Sequence, residues 1–308
     1  MSDEKPIIGD VAGLSKPAEV LIENISGAIG RIYKPTHIKR IADARAKATI
    51  IQAEADAEAG LILAQGEIEQ QELRERAAKR LIEDEIKNQE NIEKIAFSAA
   101  SKIQSTDNIS SLDDDWIRFF FNHAKATSNE KAQDMWASIL AREAIEPETF
   151  PKRAIIAMST MEHSDARLFE KLCSSIYTIN HAKHCLVKNI KNAPKDNELS
   201  YDELRHLSTL GLIDLSSIGT FTAHFKRPQT NETIFFVAKY QDWTGYYTVD
   251  DKISDLHIDV GYILLTNMGK SFSTIANPNF DGAFLDTLKE HLESQGLTLQ
   301  NEETETQR

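Results

Sequence analysis

The densest gathering of metal-ligating side chains in this sequence is Cys173, His181, His184 and Cys185. A structural zinc site needs four nitrogen or sulfur ligands in tetrahedral array, usually as two closely spaced pairs. On a straight helix His181 and Cys185 would share a face, but Cys173 would lie two turns away, out of reach of the same ion. Buried thiols beside half-exposed histidines are the expectation. A Cys–His nucleophile would need, in addition, a positioned partner and an oxyanion hole. Phosphate loops are not written here, since neither Gly-x-Gly-x-x-Gly nor Gly-x-x-x-x-Gly-Lys-Ser/Thr occurs. Asp113-Asp114-Asp115 has the charge to hold magnesium, yet it directly precedes Trp116 and an aromatic helical run, where carboxylates satisfy first-turn N–H groups. No catalytic, cofactor or metal residue is therefore expected, and the chain reads as a non-enzyme.

Apolar faces and blocks of charge are the remaining chemistry. Ala18, Leu21, Ile22, Ile25, Ala28, Ile29 and Ile32 recur at steps of three and four, one stripe of a helix. Directly after it comes a basic block, Arg31, Lys34, Lys39, Arg40, Arg45 and Lys47 against Asp43 alone. Residues 54–75 reverse the sign, with Glu54, Asp56, Glu58, Glu67, Glu69, Glu72 and Glu75 against Arg74. A stripe beside cations suits an anionic membrane surface, and adjacent blocks of opposite sign suit neighbouring subunits. Leu21, Ile22, Ile25, Ile29 and Ile32 are thus the candidate membrane or partner-helix residues. Burial of the same stripe in the protein's own core competes, because Glu19 and Glu23 oppose an anionic surface and Gly27 and Gly30 suit close helix packing.

The elements that must position these groups are mostly helical in pattern. Ser15 caps the first helix, with Pro17 in its first turn, and Pro35 breaks it. Residues 36–104 hold no proline and only two glycines and have long-helix composition. The polar stretch Ser105–Ser111 is expected as a boundary. Trp116, Phe119, Phe120, Phe121, Met135, Trp136 and Leu140 give a central core, with a capping box at Thr127–Glu130 and further helices over 151–160 and 164–190. A second capping box, Ser200–Glu203, opens a helix that stops at Gly211. Strands are expected at 217–225, 233–240 and 260–265, the last leading into a helix capped by Thr266. The expected fold is mainly α: a flexible start at 1–14, an amphipathic helix and long arm over 15–104, a helical domain over 112–194, a small winged-helix-like α+β unit over 195–295, and a frayed acidic tail over 296–308.

With 308 residues and a net charge of −13, the chain is suited to about two globular domains and not to wrapping nucleic acid. Residues 200–280 carry six Lys and Arg against nine Asp and Glu, so DNA binding by the expected winged helix is disfavoured too. Two cysteines, no signal-peptide pattern and no span of about 18 apolar residues point to a cytoplasmic protein.

Several segments resemble known families. Trp116-Ile-Arg-Phe-Phe-Phe121, Asn129-Glu-Lys-Ala-Gln-Asp-Met-Trp136, Ile139-Leu-Ala-Arg-Glu143 and Asp165-Ala-Arg-Leu-Phe-Glu170 are similar to an uncharacterised bacterial domain-of-unknown-function family. Ile32-Tyr-Lys-Pro35 and Ile38-Lys-Arg-Ile-Ala42 resemble that family's start. Leu210-Gly-Leu-Ile213 and Leu265-Thr-Asn-Met-Gly269 more distantly resemble the abortive infection alpha proteins. The resemblance implies bacterial or prophage origin and a role in phage defence, with no substrate. The expected function is a non-enzymatic antiphage protein that self-associates as a homo-oligomer through its helical arm and engages the inner membrane surface, with a phage or defence-system protein as candidate partner. The alternative is a DNA-binding transcriptional regulator using the C-terminal unit.

Overall fold

The computed structural model describes residues 13–30, 32, 65–187, 199–216, 218–226, 235–249 and 255–304. The chain divides into two compact units, Met1–Ser159 and Thr160–Arg308.

The first unit is helical. Helix α1 (Lys16–Ile29) starts where expected, with the Ser15 hydroxyl accepting from the Ala18 N–H. Helix α2 (Gln65–Ser101) is followed by α3 (Asp114–Ala124), α4 (Glu130–Ile145) and α5 (Lys152–Thr160). Asp113 caps α3 through its side chain, accepting from Asp115 N–H, so the acidic triplet serves the helix start. Around Phe120 the aromatic residues form the core predicted from their density: Trp116 stacks on it at 5.2 Å, and Trp136 meets it edge-on at 5.2 Å. Each indole finds an acceptor, Trp116 Nε1 on Phe150 O and Trp136 Nε1 on Thr127 Oγ1. The latter bond explains a correction. Thr127 does not cap α4; its hydroxyl is turned to Trp136, and Asn129 caps the helix by accepting from Ala132 N–H. Ser105–Ser111 joins α2 to α3 inside this unit.

The second unit overturns the mainly α expectation. Helix α6 (His163–Cys173) ends after eleven residues and gives way to a hairpin of β1 (Ile176–Ile179) and β2 (Ala182–Cys185), where a helix to residue 190 was expected. Helix α7 (Tyr201–Thr209) leads into β3 (Ile213–Leu215), β4 (Phe221–Lys226), β5 (Phe235–Tyr240), β6 (Trp243–Val249), β7 (Asp255–Gly261) and β8 (Ile263–Leu265). Helices α8 (Asn267–Phe272) and α9 (Gly282–Ser294) and strand β9 (Leu297–Thr304) complete it. Seven strands form one antiparallel sheet in the order β3-β8-β2-β1-β5-β6-β9, and β4 with β7 forms a separate antiparallel ribbon. The protein is therefore α+β. The expected winged-helix-like unit is not present as such, because its strands at 213–215 and 263–265 belong to a larger sheet, β3 at its edge and β8 between β3 and β2, that takes in residues 176–185 and 297–304 as well. Residues 297–304, expected to fray, are held along β6 from Trp243↔Thr304 to Val249↔Leu297.

The core of this unit lies between the sheet, the ribbon and α9. Tyr177, Ile179, Ala238, Tyr240, Trp243 and Tyr247 point inward from the sheet, Leu256, Ile258 and Val260 from the ribbon, and Leu288 and Leu292 from α9. The period-two alternation along each strand makes this possible, since every second residue faces the same side. At burial of roughly 1.5–3 kcal/mol per large apolar side chain, these strands are fixed by packing as much as by their ladders.

Candidate functional site

In the first unit, α2 has two halves of different character. From Asn91 onward it is buried: Ile92, Ile95, Ala96, Ala99 and Ala100 are within the core, where α2 packs on α4 and α1. Small side chains there let the helix axes approach closely. A buried polar ladder fixes the register, with Asn91 Nδ2 donating to Lys125 O at 2.8 Å and Gln133 Nε2 donating to Asn91 Oδ1 at 2.9 Å and to Thr127 O at 2.8 Å. Residues 71–85, by contrast, are exposed on every side of the helix, and Leu73 and Leu81 are 60% and 71% exposed. Charges of both signs line this stretch, with the Arg76–Glu72 pair at 3.6 Å one of them.

The stripe read from the sequence sits elsewhere. Leu21, Ile22, Ile25 and Ile32 are buried and Ile29 is half-buried, with α1 packed on α3 and α2. Arg118 Nε, on α3, donates to Ala28 O and so satisfies a carbonyl at the end of α1. The basic block, Arg31, Lys34, Lys39, Arg40, Arg45 and Lys47, lies outside the described residues, as do residues 54–64 of the acidic block.

In the second unit the Cys and His residues are scattered by the hairpin. Cys173 closes α6 and Cys185 closes β2, both buried; His181 is exposed in the turn between the strands, and His184 packs beside Tyr177 at 5.6 Å. Burial pushes the Cys185 thiol up to about 12 and raises Cys173 further, with the neighbouring Cys185 adding to it. Burial, and then Lys270, lowers His184. Protonated buried thiols are poor nucleophiles and poor metal ligands. Among the described residues no three His, Cys, Asp or Glu side chains are gathered to hold a metal ion.

One polar pair escaped the sequence reading. Asp165 Oδ1 and His206 Nε2 lie 2.8 Å apart across α6 and α7, and His206 is the largest influence holding the Asp165 carboxyl below its usual range. The other oxygen, Oδ2, accepts from Glu162 N–H to close the capping box of α6. With both oxygens engaged in this way, the pair is a clamp between helices. A separation of 41 residues hid it, because no local spacing signals such a contact.

The two motif segments that suggested an abortive-infection likeness also meet. Gly211, at φ +74°, and Leu212 close α7 with bonds Gly211 N–H to Ser208 O and Leu212 N–H to Leu207 O, the Schellman pattern. Thr266 then caps α8 through Gly269 N–H and donates its hydroxyl to Gly211 O at 2.6 Å. These residues build a joint.

The fold and these sites define an α+β protein made of a helical unit with an exposed helix and a unit built on an antiparallel sheet. Over residues 75–289 the sequence matches the family model described as Protein of unknown function (DUF2806), and the chain belongs to that family. The match opens within the exposed half of α2 and ends within α9, so it takes in the aromatic core, the clamp and the joint. No curated protein and no solved structure matches the chain. No helix among the described residues is long and apolar enough to cross a membrane.

Proposed function

We propose that this chain is a non-enzymatic assembly protein of bacterial phage defence, of the abortive-infection type, and that it forms homo-oligomers through the exposed half of α2. The observation that carries this reading is the all-round exposure of residues 71–85, with Leu73 and Leu81 in water, on a helix whose other half is clamped in a core. Helical stability in proteins comes mostly from packing of an apolar face, and a segment without such packing gains from a partner helix. Neighbouring charges of both signs suit another copy of the same helix. Engagement of the inner membrane surface is a secondary part of the reading and rests on the basic block from Arg31 to Lys47, because the α1 stripe is occupied within its own unit. A phage or defence-system protein is the proposed trigger. The alternative, a DNA-binding transcriptional regulator using the C-terminal unit, is disfavoured by the excess of acidic over basic residues in 200–280.

Sedimentation of the full-length protein tests the reading. An oligomer is expected at tens of micromolar, and Leu81→Asp is expected to dissociate it while the melting temperature is held. Cells carrying the wild type should plate fewer phage than cells carrying Leu81→Asp. A wild-type monomer, or equal plating on both, overturns the proposal.

A further inference from the structure

The β4–β7 ribbon turns one face to the core and the other to solvent. Ala223 and Phe225 of β4 and Leu256, Ile258 and Val260 of β7 face inward. On the outer face His224 and His257 are direct cross-strand partners, both exposed, with ring centroids 4.4 Å apart and ring planes at 83°. Two histidines opposed in this way have a specific chemical capacity. The rings meet edge-on, and rotation about their side-chain bonds brings one nitrogen of each to a shared ion; among divalent ions, copper and nickel bind imidazole most tightly and accept two nitrogens with the remaining positions filled by water.

We propose that His224 and His257 form a two-histidine clamp for a divalent copper or nickel ion on the outer face of the ribbon. The ladder from Thr222↔Asp259 to Lys226↔Asp255 holds the two Cα atoms in place, so the ion has only the two side chains to order. Asp259, two residues along β7, has its Oδ1 accepting from Gly261 N–H at 2.8 Å. No third His, Cys, Asp or Glu is gathered with them among the described residues, so two protein ligands define the site, with water or a donor from another molecule in the remaining positions.

Copper titration of the full chain, affinity tag removed, tests the clamp. Electron paramagnetic resonance should show one tetragonal Cu²⁺ per chain coupled to two imidazole nitrogens. His224→Thr and His257→Thr should each weaken binding by about tenfold or more, since each removes half of the protein ligands, while His163→Asn should leave it unchanged. Nickel should compete for the site. A wild-type spectrum with one nitrogen or none, or affinity retained in either threonine variant, overturns the proposal; the nitrogen count is read on the unaltered protein and does not depend on how the variants fold.

Discussion

Gly269 lies so close under the Leu212 carbonyl that a β-carbon added to it would stand 2.0 Å from that oxygen. The contact is with backbone that itself accepts from Thr266 N–H, so nothing flexible can move aside. Close approach of α8 to the turn after α7 is what requires glycine here. Gly269→Ala is expected to cost at least about 3 kcal/mol, the upper part of the range for overpacking, and to appear as a large fall in melting temperature. Thr266→Ala, which removes the cap, should cost about 1–2 kcal/mol. A Gly269→Ala protein as stable as wild type would show that the joint is loose.

Glu143 is a second fixed point, in the first unit. Its carboxylate is buried, Oε1 accepts from Glu148 N–H at 2.8 Å, and Oε2 accepts from Phe150 N–H at 2.7 Å, holding the loop that presents Phe150 O to Trp116. Glu143→Ala would strand two backbone donors and should cost about 2–4 kcal/mol in denaturant unfolding. Glu143→Gln keeps one acceptor and should cost less.

The Asp165–His206 clamp makes stability depend on pH with a definite sign. The Asp165 pKa is lowered in the folded protein, chiefly by His206, so its contribution is complete above the ordinary aspartate value of 3.8 and is lost as pH falls through the lower folded value. Asp165→Asn should therefore melt below wild type at neutral pH, and the gap should close on acidification below about 4. A gap that is constant with pH would remove the ionic part of the clamp.

Local chemistry was the legible part of this fold. Ser15, the Ser200–Glu203 box, Gly211 and Thr266 each do what their residue types and positions specify, because a cap is settled within a turn of chain. The long helix ending at Ser101 and strands β4 and β5 followed from proline-free composition and β-branched runs. Sheet membership was not legible. Leu168, Phe169, Leu172, Ile176 and Ile179 fit a helical stripe as well as they fit a helix followed by a strand, and pairing of β1 with β2 and, through Thr178↔Lys239 and Ile179↔Ala238, with β5 decides between them. Strand β9 is polar because it is an edge. It is anchored through Glu302, which accepts from Trp243 Nε1 at 2.8 Å and pairs with Lys289, contacts to groups 59 and 13 residues away.

The hairpin that redirected the chain turns on Asn180 and His181, both with positive φ, +46° and +72°. Two central residues of that hand are what a two-residue loop between right-twisted strands needs, and asparagine followed by glycine is the preferred pair. Asn180 suits its place, and its Oδ1 also accepts from Val237 N–H on β5 at 3.0 Å. His181 is exposed and carries a β-carbon in a conformation that costs L-residues about 1 kcal/mol. His181→Gly should relieve that strain, though glycine loses more backbone freedom on folding, and the balance is expected to raise stability by a few tenths to about 1 kcal/mol. Asn180→Ala should lower it by about 1 kcal/mol, since alanine takes a left-handed backbone less readily than asparagine and the exposed bond to Val237 N–H passes to water. Paired melting curves of the two variants decide the matter: a destabilised His181→Gly would mean that the histidine ring holds the turn by contacts that outweigh its backbone strain.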